Sequence, residues 1–312
     1  MKHTLRIAYL CVLARRKAVA VGGILLLGVG CQNAASDRAA KDSTTAAATA
    51  SITPSGAARE VEVLGLDYAF SMPDSLDAGR TAFKFTNSGK VFHEYNLVLL
   101  KPDVTLQQFI DAANKQQPLS PYVDGPVGVL FAMPGQTSIG FLSAEMLPGR
   151  TYAIQCIFKD SAGAASHREM GMYKSFVVRN NAKPTVAAVA IDTIVGTDYA
   201  YTKYPRNIKP GWHHFMFVNE GMHRHEISLG MLKRGVSVTK FIDVLRHDGD
   251  IDALMDGDMG VLHAQAGTTP LGTLDFEVLP DREYVIVCEF RDSGQSPPHF
   301  ALGMVTSMLS SR

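Results

Sequence analysis

Short runs in which apolar and polar residues alternate recur along the chain from residue 59 onward. TAFKFTN (81–87) and HFMFVN (214–219) each contain two phenylalanines two positions apart, which predicts strands with one apolar face. TYAIQCIF (151–158) and EYVIVCEF (283–290) are similar runs, rich in aromatic and β-branched residues. The pattern therefore predicts a protein made mostly of short β-strands.

Turn residues separate these runs, and helical spacing of apolar residues is confined to two segments. The turn signals are Asn87-Ser88-Gly89, Pro134-Gly135, Pro148-Gly149 and Asp256-Gly257. One amphipathic helix is predicted around Thr105–Lys115 and another around Ser237–Arg246. Many short strands with few helices are typical of an antiparallel β-sandwich.

The chain contains the same unit twice. NSGKVFHEYNLVLLKPDVTLQQFID (87–111) aligns with NEGMHRHEISLGMLKRGVSVTKFID (219–243), at a constant separation of 132 residues. LPGRTYAIQC (147–156) and LPDREYVIVC (279–288) align at the same separation. A repeat of this length predicts two domains, because about 120 residues is an ordinary domain size.

The domain boundaries follow from the two copies. Residues 59–178 form the first predicted domain and residues 186–309 the second, joined by a polar, proline-containing linker at 179–185. Upstream, DYAF at Asp67 and DYAY at Asp198 are 131 residues apart, so one residue was gained before the second copy reaches Gly211.

Residues 1–31 have the pattern of an export signal. A basic segment precedes the apolar run AVAVGGILLLGVG (18–30), which is shorter than the about 20 residues that a bilayer span needs. Small residues before Cys31 resemble a bacterial lipoprotein signal, which implies acylation of Cys31; plain secretion is the alternative. Residues 32–58 are rich in Ala, Ser and Thr and predict a flexible tether. We therefore expect a membrane-anchored lipoprotein of the cell envelope, facing the periplasm or the outside.

The charge and the cysteine content limit which ligands the protein is expected to bind. Thirty basic and thirty acidic residues leave no net charge, which disfavours a nucleic-acid partner. Beyond Cys11 and Cys31, both in or at the end of the signal, the only cysteines are Cys156 and Cys288. They occupy equivalent positions in separate units, so a disulfide between them is not expected, and metal ligation explains two unpaired thiols in an oxidising compartment.

Each unit offers the same four potential metal ligands in the same order. They are His93, Cys156, His167 and Met172 in the first unit, and His225, Cys288, His299 and Met304 in the second. Two imidazoles, a thiolate and a weak thioether are the donor set of a type 1 copper centre, so up to two coppers per chain are expected. Met170 competes with Met172 as the sulfur donor, although the repeat register favours Met172.

On these residues the chain resembles the cupredoxins, the plastocyanin- and azurin-like blue copper proteins. The resemblance rests on N-x-G-x-x-x-H-E at 87–94 and 219–226 and on the C…H-x4-M segments, and it covers both units. It implies an all-β fold of two tandem cupredoxin-like Greek-key β-sandwich or barrel domains, each with one short inserted helix. It also implies one copper per domain for electron transfer. The ten residues between Cys and His imply an extended ligand loop.

The expected function is electron transfer with redox partner proteins of the cell envelope, and not enzymatic catalysis. A two-domain multicopper enzyme is disfavoured, because Gln155 and Val287 stand where such enzymes commonly carry a histidine directly before the cysteine. Copper storage or delivery without a redox role is a further hypothesis, and so is a sandwich that binds no metal.

The remaining polar residues are assigned weaker roles. Glu94 and Glu226 are expected to orient the adjacent imidazole or loop. His223 is expected beside the site or exposed, since its counterpart is Val91. His213, His214, His247 and His263 are expected at the surface or in packing. The acidic residues of 248–258 are expected in a solvated loop.

Overall fold

The structure is a computed structural model that describes residues 59–181, 188–247 and 249–312. The predicted signal peptide, the tether, the lipidation site Cys31 and all but the first three residues of the linker 179–185 lie outside the described residues. Among those that are described, no helix is both long enough and apolar enough to cross a membrane.

The first half of the described chain holds nine strands and one helix. The strands are β1 (Arg59–Leu66), β2 (Ala69–Ser71), β3 (Ser75–Leu76), β4 (Gly79–Asn87), β5 (His93–Leu100), β6 (Val123–Ala132), β7 (Phe141–Met146), β8 (Thr151–Gln155) and β9 (Tyr173–Val178), and the helix is α1 (Leu106–Asn114).

The second half repeats this order and adds a one-turn helix. Its strands are β10 (Asp192–Thr197), β11 (Ala200–Lys203), β12 (Asn207–Ile208), β13 (Gly211–Asn219), β14 (His225–Leu232), β15 (Met255–Ala264), β16 (Gly272–Val278), β17 (Glu283–Val287) and β18 (Val305–Ser310). Its helices are α2 (Val238–Arg246) and α3 (His299–Leu302), and a 3-10 turn spans Asp252–Leu254.

Both predicted helices are confirmed, and their caps explain where they begin. The Thr105 hydroxyl accepts the Gln108 N–H, and the Gln108 side chain accepts the Thr105 N–H in return, which forms a capping box. Ser237 accepts the Lys240 N–H at the start of α2. Each helix lays an apolar face, centred on Phe109 in α1, against the outer side of a sheet.

The strands form two packed layers. The first sheet runs in the order β2-β1-β4-β7-β16-β13-β10-β11, and the second in the order β3-β9-β8-β5-β6-β15-β14-β17-β18-β12. Each half contributes strands to both sheets and buries phenylalanines such as Phe83 and Phe215 between them. The predicted all-β class, with two tandem sandwiches and an inserted helix in each, is confirmed; the one-turn helix α3 in the second half was not predicted.

The two sandwiches are not separate bodies, because both sheets continue from one half into the other. Strand β7 pairs with β16, where Ala144 lies opposite Gly272. Strand β6 meets β15, where Val129 lies opposite Val261. Pairing the edge strands in this way removes exposed backbone donors and acceptors that would otherwise attract another chain.

One predicted turn is wrong. Asp256-Gly257 lies inside β15, where the pairing with β14 is interrupted by two register shifts. Gly257 has φ +149° beside one of these shifts, a backbone conformation that glycine adopts much more readily than residues with a side chain. A glycine after an acid therefore signals a turn and a bulge equally well. The neighbouring Asp258 is consequently part of a strand and half-buried, not part of a solvated loop.

Close approach at the junction of the halves makes a testable prediction. A methyl group at Gly272 would lie 2.6 Å from the backbone oxygen of Val127, which cannot swing away. Gly272→Ala is therefore expected to lower the free energy of unfolding by about 1–3 kcal/mol, measured by urea titration. Gly294→Ala is the control, because its methyl would meet no atom within 4 Å. Equal stability of the two variants would show that the junction is not tightly packed.

Candidate metal centres

The ligand residues of the first centre come from strand ends and from one loop. His93 begins β5, Cys156 directly follows β8, and His167 lies in the loop that leads to β9. All three side chains are fully buried. The Nδ1 atoms of His93 and His167 are 3.0 Å apart, and the Cys156 Sγ lies 3.4 Å from the second and 4.0 Å from the first.

The second centre repeats this geometry. The Nδ1 atoms of His225 and His299 are 3.0 Å apart, and the Cys288 Sγ lies 3.4 Å from His299 Nδ1 and 3.8 Å from His225 Nδ1. In both groups the donor atoms lie within 4.8 Å of one another. Two nitrogens and a sulfur that face each other in a buried space are a suitable donor set for one metal cation, which would satisfy all three lone pairs at once.

The two candidate methionines of the first centre differ in position. Met172 is fully buried, its N–H donates to the His167 carbonyl at 2.8 Å, and its carbonyl accepts the Cys156 N–H at 3.0 Å. Met170 is 41% exposed. Met304 makes the same two backbone hydrogen bonds, with His299 and Cys288. The structure therefore brings Met172 and Met304, and not Met170, into the buried ligand loop.

The asparagine and glycine of the N-x-G-x-x-x-H-E motif shape the approach to each first histidine. The Asn87 amide donates to the carbonyls of Val91 and Ala132, and its oxygen accepts the Gly89 N–H. A side chain at Gly89 would meet the His93 Nε2 at 2.9 Å. The motif therefore fixes the loop that delivers the imidazole.

Asn219 and Gly221 repeat this arrangement in the second half. The Asn219 amide donates to the carbonyls of His223 and Ala264, and its oxygen accepts the Gly221 N–H at 2.9 Å. The same loop is thus held by the same contacts in front of His225.

Four aspartates face the outer nitrogens of the four imidazoles, and the sequence motifs do not single them out. Their carboxylates lie 3.8 Å (Asp67 to His93), 3.2 Å (Asp160 to His167), 3.3 Å (Asp198 to His225) and 3.1 Å (Asp292 to His299) from Nε2. At His167, His225 and His299 this carboxylate is within hydrogen-bond distance and holds the proton on Nε2, so the Nδ1 lone pair points into the site. Asp67 is too distant for such a bond, and the His93 Nε2 has no hydrogen-bond partner among the described residues. A signal does exist in the sequence, because all four aspartates recur in the repeat.

A strained tyrosine covers each centre. Tyr68 and Tyr199 both have φ +63°, an uncommon left-handed conformation that costs of order 1–3 kcal/mol. Their rings stand edge-on to the second histidine of each centre, at 5.1 Å from His167 and 5.0 Å from His299. The Tyr199 hydroxyl donates to Asp292 at 2.7 Å, and this bond raises the pKa of Tyr199 to about 12. Each tyrosine thereby shields the imidazole from water.

Burial keeps the histidines neutral. It lowers the pKa of all four imidazoles, and that of His93 to about 4 with the help of repulsion from His167. Neutral imidazole is the form that binds metals, so the ligands are ready at neutral pH. Burial also raises the pKa of Cys156 and Cys288 well above the usual range, because the buried thiolate is unfavourable. A bound cation would offset this cost of forming the thiolate.

Backbone donors and two buried glutamates complete the cysteine surroundings. The Glu94 N–H donates to the Cys156 Sγ at 3.4 Å. The Glu94 carboxylate accepts the Ile157 N–H at 2.7 Å, and the Glu226 carboxylate accepts the Glu289 N–H at 3.0 Å. These glutamates hold the chain directly after each cysteine, so they orient the loop and not the imidazole.

The other histidines do not join the two donor groups. His223 is 43% exposed and lies 3.0 Å from Asp292, at the rim of the second centre. The remaining four in the described part of the chain lie elsewhere: His213 beside Asp192, His214 beside Asp275, His247 on the exposed end of α2 and His263 beside Arg224.

No protein-family model and no curated protein matches this chain. Among solved structures, it is similar to dithionite-reduced auracyanin from Roseiflexus castenholzii, with 20% identity over 40% of this chain and 100% of that chain and a TM-score of 0.28. A multicopper oxidase is 13% identical over 81% of this chain and 88% of its own, with a TM-score of 0.24. A copper-containing nitrite reductase from Thermus scotoductus is 11% identical over 81% of this chain and 62% of its own, with a TM-score of 0.22.

The outer carboxylates make the next prediction. Asp292→Ala removes the acceptor from His299 Nε2 and frees the imidazole to rotate, so metal affinity of the second centre is expected to fall about 10–100-fold. Equilibrium dialysis against cobalt(II) measures this loss. Asp243→Ala, on the exposed face of α2, serves as the control. An unchanged affinity in Asp292→Ala would show that this carboxylate does not position the ligand.

Proposed function

We propose that this protein is an exported type 1 copper protein that transfers electrons through one copper centre in each half. The observation that carries the proposal is the pair of buried His-Cys-His groups, in which the donor atoms lie within 4.8 Å of one another. Among divalent and monovalent metals, copper suits a set of two imidazoles and one thiolate with a thioether nearby.

Bound copper supplies a reversible one-electron couple at such a donor set. The chain's own contribution is to hold the donors still. His93 and Cys156 are attached to paired strands, and the outer nitrogens of the imidazoles are faced by aspartates, so each ligand has a restricted range of motion. A donor set that moves little when charge changes makes electron transfer fast.

The surroundings of the sulfur set its electron density. The N–H groups of Glu94 and Phe158 donate to the Cys156 sulfur, and those of Glu226 and Phe290 donate to the Cys288 sulfur. Hydrogen bonds to a ligating sulfur tune the redox potential of the site. Because both halves carry the same pair of donors, the two centres are expected to have similar sulfur environments.

An electron carrier is favoured over a multicopper enzyme and over a copper store. Gln155 precedes Cys156 and bonds to Arg168, and Val287 precedes Cys288 and packs beneath α2, so neither position offers a further imidazole. In the described part of the chain, the groups of three candidate donors are the two His-Cys-His sets. Their full burial also argues against storage or delivery, which need accessible donors for metal exchange.

Export and membrane attachment belong to the same proposal and rest on the sequence of residues 1–31 and on Cys31. With the tether of 32–58, this arrangement would leave the two centres free to meet redox proteins of the cell envelope.

Optical spectroscopy with copper quantification tests the proposal. Protein loaded with Cu(II) is expected to bind two coppers per chain and to be intensely blue or green, because charge passes from the cysteine sulfur to copper on excitation. Cys288→Ser is expected to remove about half of this absorption and one of the two coppers. The matched control Met222→Leu, at an exposed side chain, should keep both.

Two results would contradict the proposal. If the protein binds copper but stays colourless, its copper sites are not type 1 centres. More than two coppers per chain would favour a multicopper enzyme instead.

A further inference from the structure

A cavity of about 350 Å³ lies outside the two metal centres, on the outer face of the second sheet beneath α2. Phe241 and Leu245 of α2 and Phe300 of α3 form one apolar wall. Phe131 of the first half also lines the cavity, so the cavity lies at the junction of the two sandwiches. A concave, largely apolar site at such a junction is suited to a small molecule.

Two carboxylates face this apolar space without a cationic partner. Glu289 is only 9% exposed, and Asp258 lies on the same cavity wall in β15. Among the described residues, neither carboxylate has a hydrogen bond or an ion pair. The nearby guanidinium groups are engaged elsewhere: Arg291 donates to the Ser296 carbonyl, and Arg282 pairs with Asp256.

The lack of a cationic partner affects the pKa of Asp258. Burial, reinforced by the nearby Asp252 charge, raises the pKa of the Asp258 carboxyl to about 7. Burying ionised carboxylates without compensation is costly, so a cation that enters the cavity gains from pairing with them.

The first half has a different side chain at the position equivalent to Phe300. Arg168 stands there in place of Phe300, and its guanidinium donates to the Ala113 carbonyl at 3.0 Å, to Asn114 at 2.8 Å and to Gln155 at 3.1 Å. The counterparts of Ala113 and Gln155 are Leu245 and Val287, and both line the cavity.

The two halves thus differ by a reversal of charge beneath the helix. The first half places a buried cation there, and the residues at the positions of Glu289 and Asp258 are Ile157 and Pro126. The second half has Phe300 at the position of that arginine and carboxylates where the first half has Ile157 and Pro126. Its own buried guanidinium, Arg224, lies instead against the Phe290 ring and His263. A cationic ligand would therefore compensate the two carboxylates beneath α2.

We propose that this cavity binds a small organic cation, with an ammonium or guanidinium head and an apolar body. The head pairs with Asp258 and Glu289, where the surrounding protein excludes water and strengthens the interaction. The body packs against Phe241 and Phe300, whose rings also attract a cation. The cavity does not include the ligands of the second donor group but lies beside them, since Glu289 and Phe300 directly follow Cys288 and His299.

The protonated amine 2-phenylethylammonium is a direct probe, titrated into the purified full-length protein by calorimetry at about pH 9, where Asp258 and most of Glu289 are ionised and an alkylammonium is still mainly protonated. The neutral 2-phenylethanol has the same body without the charge. The ammonium is expected to bind at least about tenfold more tightly than the alcohol, because only its head pairs with the carboxylates.

Matched variants locate the binding. Asp258→Asn and Glu289→Gln are each expected to weaken the ammonium at least about tenfold, and Phe300→Arg is expected to abolish binding by supplying the cation from the chain. Glu277→Gln, an exposed carboxylate on β16, is the control and should leave the affinity unchanged.

Three results would overturn the proposal: no binding of the ammonium, equal binding of the ammonium and the alcohol, or full affinity in Asp258→Asn. The comparison of the two probes uses the unaltered protein, so it decides the question even if a variant fails to fold.

Discussion

The convergence of two imidazole nitrogens and one sulfur in a buried space is the constraint on which the rest of each half depends. The Nδ1 atoms of His225 and His299 are 3.0 Å apart, and the Cys288 Sγ is within 3.8 Å of both. Burying these polar atoms would be unfavourable if they were not held in fixed orientations toward one another and toward hydrogen-bond partners. The N-x-G loop, the glutamate that holds the chain after the cysteine, and the outer aspartates each restrict one direction of movement, so the donors remain aligned.

The outer aspartates and the two tyrosines show that this alignment extends beyond the ligands. Tyr199 bonds to Asp292, and Asp292 faces His299, so ring, carboxylate and imidazole form one connected chain. The strained backbone of Tyr68 and Tyr199 places a ring edge-on to the second histidine of the donor group in both halves. Both halves keep this strained backbone conformation, which indicates that the position of the tyrosine ring matters to the donor group.

Duplication preserved the centres but not what lies beneath the helices. The ligands, their aspartates and the tyrosines recur in both halves. In contrast, Arg168 of the first half is replaced by Phe300, and carboxylates appear at Asp258 and Glu289. The continuous sheets bring this altered surface against Phe131 of the first half. The two halves therefore share the His-Cys-His donor groups but differ in the charged residues beneath their helices.

The sequence by itself determined the strands, both helices, the repeat and the eight candidate ligands, because alternation, capping residues and repeat spacing are local properties of the chain. Tertiary structure alone decided that the two sandwiches share their sheets, that Asp67 and Asp160 face the imidazoles, and that Gly257 lies in a bulge. It also decided that Asp258 lines a cavity. These features depend on contacts between distant segments, and the distance between such segments is set by how strands pair and layers pack.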